Sequence, residues 1–167
     1  LPALAAEVAL ATAALERELP LVGIGLGAQI LAIAAGGRSD PAPLTFDVTT
    51  ARRVDPQALN GFLPEQYPIA TYMRDWPVPP AHAKVLARDE RQRAVLWQVG
   101  PRAFGFAGHP GMKVAMVEDL VMEFDEVAPD IENVLARLRN VRTALEDALV
   151  PIMTGLVQLT GWIRPPA

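Results

Sequence analysis

Residues 21–29, Leu-Val-Gly-Ile-Gly-Leu-Gly-Ala-Gln, constrain this chain more than any other stretch. The apolar run from Leu21 to Ile24 has the length of a strand buried on both faces of a parallel sheet. Glycines at 23, 25 and 27 then carry the chain through a turn. From residue 28 the pattern Ile30, Leu31, Ile33 and Ala34 is that of a helix buried nearly all round, closed by Gly36 and Gly37. A strand that turns sharply into a buried helix predicts an α/β domain. Ahead of it, Leu4, Val8, Ala11, Leu15 and Leu19 recur at helical spacing, which predicts a surface helix over 3–19 ended by Pro20.

Composition narrows what such a domain can do. At 167 residues the chain is long enough for one well-filled core, and 51% hydrophobic against 20% charged residues excludes intrinsic disorder. A formal net charge of -4, with no basic stripe interleaved with aromatics, excludes a nucleic-acid partner. Zero cysteines exclude disulfides, thiolate metal sites and a cysteine nucleophile. His82 and His109 are the only histidines and lie too far apart to make a metal-ligand pair, so neither a metal nor a cofactor is expected. The uncharged run 148–163 is shorter than a membrane span and is interrupted by Pro151, Gly155 and Gly161. Leu1 opens directly into an amphipathic pattern rather than a signal peptide, which favours a cytoplasmic location. Of the 15 basic residues, all but Lys84 and Lys113 are arginine, a bias typical of a bacterial genome rich in GC.

The middle of the chain is punctuated by prolines, and strands are predicted near 44–50, 69–74, 84–88, 94–99 and 103–107, the last three forming a meander. A helix is predicted over 112–124 through Val114, Val117, Val121 and Phe124. Beyond it, Ile131, Val134, Leu138, Val141, Leu145, Ala148, Ile152, Gly155, Leu159 and Trp162 recur at spacings of three and four. Pro151 is expected to divide this stretch into a long helix and a shorter one. The apolar seam either packs on its own domain or docks another subunit.

Pro20-Leu-Val-Gly-Ile-Gly-Leu-Gly-Ala-Gln29, followed by a helix and Gly36-Gly37, resembles the nucleophile elbow of the class I glutamine amidotransferases, P-x-x-G-I-C-L-G-x-Q. Small neighbours let such a turn hold one side chain at its apex, against the amides of a helix N-terminus. Gly105-Phe106-Ala107-Gly108-His109-Pro110-Gly111 resembles the G-x-Q-F-H-P-E segment that carries the family's catalytic His and Glu. Residues 68–75 and Pro79-Pro80 fall where the family has a strand ending in Gly-Asp and a Pro-Pro turn. The resemblance covers about residues 1–125. It implies a flavodoxin-like three-layer sandwich over 1–127, with a C-terminal helical extension over 128–167.

Carried over position by position, the resemblance places the nucleophile at Gly25, the base at His109 and the orienting acid at Gly111. Covalent glutamine hydrolysis needs a nucleophile that a base activates and a third group orients, and glycine offers neither nucleophile nor carboxylate. The residues flanking the base also depart from the pattern, as Ala107 and Gly108. Leu26, through its amide, and Gln29 match positions that stabilise the oxyanion and contact substrate glutamine. The family also has strands, a helix and a glycine-rich loop ahead of the position matching Leu1, so a sheet edge here is expected to need cover.

The expectation is therefore a non-catalytic structural or regulatory subunit of a larger complex, with a protein partner or a second copy engaged through the C-terminal helices. The alternatives are an amidotransferase or amide hydrolase using a non-standard or partner-supplied nucleophile, and a sensor of glutamine or a similar small molecule. A dinucleotide reading of Gly23-Ile-Gly25-Leu-Gly27-Ala28 is weakened because Asp40 follows the helix with no intervening strand and Asp47 is not at a strand end. Glu118, Asp119, Glu123, Asp125 and Glu126 read as a solvated helix face. Trp76 and Trp97 are expected in the core or at its rim.

Overall fold

The computed structural model describes residues 2–123 and 126–163. Helix α1 (Pro2–Glu16) ends earlier than Pro20 because Glu18 adopts a left-handed conformation (φ 50°) and Leu19 N–H reaches back to the Ala14 carbonyl. Ala11 of the predicted stripe is buried, whereas Leu19 lies beyond the helix and is exposed. Strand β1 (Leu21–Ile24) and helix α2 (Leu26–Ala34) follow as the sequence predicts.

The chain then forms β2 (Arg38–Asp40), β3 (Thr45–Arg53), a 3-10 turn (Ala58–Gly61), β4 (Gln66–Met73), β5 (Trp76–Val78), β6 (Lys84–Arg88), β7 (Ala94–Val99) and β8 (Ala103–Phe106). Six strands make one sheet in the order β1-β8-β7-β6-β3-β4, and β2 pairs with β5 apart from it. Only β1 and β8 run parallel; β6, β7 and β8 form the predicted antiparallel meander. The sheet curls strongly. His109 N–H, just past β8, bonds the Ala70 carbonyl of the far strand β4 at 2.8 Å in an antiparallel bridge.

Two corrections concern local structure. Asp40 does end a strand, β2, but that strand pairs only with β5 and not beside β1, so it does not supply the acidic strand end of a dinucleotide fold. The C-terminal helices divide at Val141 rather than at Pro151: α4 is Ile131–Asn140, and α5, Arg142–Thr160, contains the proline. Pro151 leaves the carbonyl of Asp147 without its helical donor, and Asp147 is exposed to water, so the helix continues. Helix α3 (Val114–Glu123) begins two residues later than predicted. Phe124 and Asp125 lie outside the described residues.

Helices cover both faces of the sheet. Ala28, Leu31 and Ala32 of α2 pack with Trp97, Val99 and Ala103 on one side. On the other, Ala148, Ile152 and Leu156 of α5 pack with Leu59, Tyr67, Ile69 and Phe104. A third cluster joins Phe46, Val48 and Ala70 to Val117, Val134, Leu138 and Leu145. The C-terminal seam is thus mostly buried against its own sheet. Trp97 is fully buried in the core beside Gly105, where a Cβ would lie 2.3 Å from its ring; Trp76 is half-buried at the rim.

Candidate functional site

Gly25 stands at the apex of the turn between β1 and α2, with φ 58° and ψ −113°. L-residues seldom adopt this conformation, whereas glycine takes it freely. Here its own N–H is fixed to the Phe106 carbonyl at 2.9 Å, while its carbonyl accepts from Ala28 at 3.0 Å and from Gln29 at 3.2 Å. The tightness of the turn resides at Gly23, where a Cβ would fall 2.3 Å from the Gly27 carbonyl oxygen. At Gly25 the space is open: a Cβ there would meet nothing within 4 Å. Leu26 begins α2 with an exposed side chain, and its amide is among those at a helix start that have no intrahelical acceptor.

The parallel register Ile24↔Phe106 makes β1 and β8 end side by side. Gly25 and the 107–111 segment therefore leave the same carboxyl edge of the sheet, the usual location for sites in open α/β folds. Ala107 N–H bonds the Val95 carbonyl, and Gly108 is buried with Ile69 3.0 Å from where its Cβ would be. These contacts hold the backbone that presents His109. The Gly111 N–H donates to His109 Nδ1 at 3.2 Å, so Nδ1 carries the lone pair and the neutral ring is protonated on Nε2. Burial holds the pKa of His109 below its ordinary value near 6.5.

Gln29 is 9% exposed, and both ends of its amide are held within the chain. Nε2 donates to the Arg74 carbonyl at 2.8 Å, and Oε1 accepts from Ser39 Oγ at 3.1 Å. Gln29 thereby ties α2 to the end of β4 and to β2. Ser39 and Arg74 were invisible as partners in the sequence, because Arg74 lies 45 positions away and contributes only its backbone.

The remaining polar residues divide simply. His82 is exposed. Glu118 pairs with Arg139 at 3.3 Å, Glu126 pairs with Arg74, and Asp119 and Glu123 are exposed; Asp125 lies outside the described residues. Asp89, only 1% exposed, accepts from the amides of Arg91 and Arg93 and from Arg93 Nε at 2.7 Å. The Arg93 guanidinium also stacks 3.6 Å over Trp76. Among the described residues no group of three His, Asp or Glu side chains converges to hold a metal, and no helix is long and apolar enough to cross a membrane. Of two clefts of about 550 and 540 Å³, neither is lined by Gly25, Leu26 or Gln29, and Gly111 borders the first.

Residues 5–47 match the Peptidase C26 family. No curated protein matches the chain in sequence. Among solved structures, a glutamine amidotransferase from Methylobacillus flagellatus superposes with a TM-score of 0.75 at 21% identity, over 96% of this chain and 70% of that one. A glutamine amidotransferase from Thermotoga maritima gives 0.70 at 18% identity, again over 96% and 70%. The protein SMU.1228c gives 0.73 at 21%, over 93% and 69%. A curled mixed sheet between helical layers, with a positive-φ glycine turn between β1 and α2, is thus the α/β fold of the class I glutamine amidotransferases.

Proposed function

We propose that this chain is a non-catalytic relative of the glutamine amidotransferases that acts as a structural or regulatory subunit of a larger assembly. The observation that carries the proposal is Gly25: it holds the backbone conformation of a nucleophile elbow and has open space for a side chain, but bears none. Without a nucleophile no glutamyl enzyme forms. Gly111 supplies no carboxylate, and its amide instead occupies the nitrogen that an orienting acid would bind. A triad base needs Nδ1–H toward the acid and a free lone pair on Nε2 toward the nucleophile. In His109 the two are exchanged.

Gln29 supports the same reading, since an amide bonded at both ends to the chain's own groups is a poor contact for substrate glutamine. A partner engaged through the C-terminal helices would meet their outward side, where Val150 and Met153 are exposed, together with Trp162 at the exposed end of the seam.

The full-length gene product incubated with glutamine is expected to release no ammonia above background. Turnover would instead favour an enzyme with another nucleophile. The combined Gly25→Cys, Gly111→Glu variant asks whether the elbow can still be rearmed, and glutaminase activity appearing only there would identify the two glycines as the cause of inactivity. Native mass spectrometry of the protein drawn mildly from its own cells tests the assembly role. A stoichiometric complex supports it, and a chain running alone overturns it.

A further inference from the structure

The cleft of about 550 Å³ lies on the far side of Gly111, between the segment entering α3 and the helices α4 and α5. Its apolar lining comes from Met112, Leu138, Leu145 and Leu149. Met112, Leu138 and Leu145 are buried in the third cluster, so that surface is fixed by the core rather than assembled by mobile side chains. Leu149 faces Gly111, its Cδ2 3.4 Å from where a Cβ of residue 111 would stand. Glycine at 111 therefore leaves this end of the cleft open.

Cations outnumber carboxylates around the lining. Lys113, Arg139 and Arg142 border the cleft, and Glu146 is the only carboxylate among its lining residues. Arg142 bonds Glu146 at 2.9 Å and Arg139 bonds Glu118 at 3.3 Å, whereas Lys113 makes no ion pair among the described residues. The chain as a whole carries a formal charge of -4, so the cationic border opposes the sign of the molecule. A cleft of this size with an apolar interior and a few convergent charges is the usual form of a small-molecule site. Over this apolar bed Lys113, beside the paired Arg139 and Arg142, selects for an anionic head on a hydrocarbon body.

We infer that the cleft between residues 111–115 and α4–α5 binds an amphipathic small-molecule carboxylate, with its chain against Leu138, Leu145 and Leu149 and its carboxylate toward Lys113 and Arg142. This site is separate from the elbow and does not depend on whether the elbow is active. Ligand here would bridge the His109 segment and the C-terminal helices.

Isothermal titration of the full chain with decanoate, decanol and decyltrimethylammonium tests the assignment. The expected result is one decanoate per chain, bound about tenfold more tightly than the alcohol and more tightly still than the cation. Lys113→Gln, at an exposed position, is expected to weaken decanoate about fivefold and leave decanol unchanged. Leu149→Trp fills the cleft and should abolish binding of both, with circular dichroism confirming the fold. Three results overturn the inference: no binding of decanoate, equal binding of all three probes, or decanoate affinity unchanged by both Lys113→Gln and a folded Leu149→Trp. Glutaminase activity in the untouched chain would sink the non-catalytic reading without altering any of these outcomes.

Discussion

Gly25 and Gly155 are both glycines at points where a helix meets another part of the molecule, and they are glycine for opposite reasons. At Gly155, inside α5, a Cβ would lie 2.6 Å from both the Cβ and the carbonyl oxygen of Leu59. Leu59 is itself buried and held at φ 52° in the 3-10 turn. Contact between helix and turn leaves no room for any side chain. At Gly25 a Cβ meets nothing, and the only obstacle is a positive φ. Packing therefore dictates glycine in the C-terminal layer, whereas at the elbow a side chain is sterically welcome and faces only backbone strain. Packing demands the first glycine, whereas backbone strain and the chemistry of the site bear on the second.

The sharpest way to break this contrast is to add volume at both places. Gly155→Leu is expected to cost about 3 kcal/mol in urea unfolding, because the overpacked side chain must displace either α5 or the 3-10 turn. A loss below about 1 kcal/mol would mean the turn yields easily, and the packing argument would fail. Gly25→Ala should cost only about 1–2 kcal/mol, the strain of an L-residue at positive φ. A cost matching that of Gly155→Leu would show that the elbow is as crowded as the helix contact.

A smaller effect is expected where the elbow helix is tied down. Gln29→Leu removes the bond to the Arg74 carbonyl and leaves that acceptor and Ser39 without their partner, for a loss of about 1–2 kcal/mol. Crystallography of the variant should show the 74–76 turn shifted from α2; an unmoved turn would assign the tie to other contacts.

The mildest test is pH. Burial depresses the pKa of folded His109 below its ordinary value near 6.5, so the unfolded chain takes up the proton first. Its contribution to stability is whole above about pH 6.5 and is lost as pH falls through the lower folded value. Protonation also forces Nδ1 to give up the Gly111 N–H. His109→Asn keeps an acceptor for that amide without a titrating ring. It is expected to flatten the fall in stability below about pH 6.5, measured by thermal melts across the acid range.

Much of this architecture was legible in the sequence. Leu21–Ile24, the glycine turn and the helix after it carry their signals locally, through an apolar run, small residues and a change of period. The meander of β6, β7 and β8 was marked by its turns. The ladder of β2 with β5 was not, since three-residue strands, one with Pro77 at its centre, have no local signature and exist only by pairing across the chain. The break at Val141 was hidden behind Pro151, the residue a local rule selects.

The candidate site divides in the same way. That residues 25 and 111 are glycine and 109 is histidine is a property of the sequence alone, as is the absence of any cysteine. That Gly25 has open space, that His109 holds its lone pair toward the Gly111 amide, and that Gln29 is spent on Arg74 and Ser39 were decided only by the tertiary structure. The physical reason is range. Residue chemistry and hydrophobic period act between near neighbours, whereas free volume, the direction of a hydrogen bond and a shared cleft depend on segments that only folding brings together.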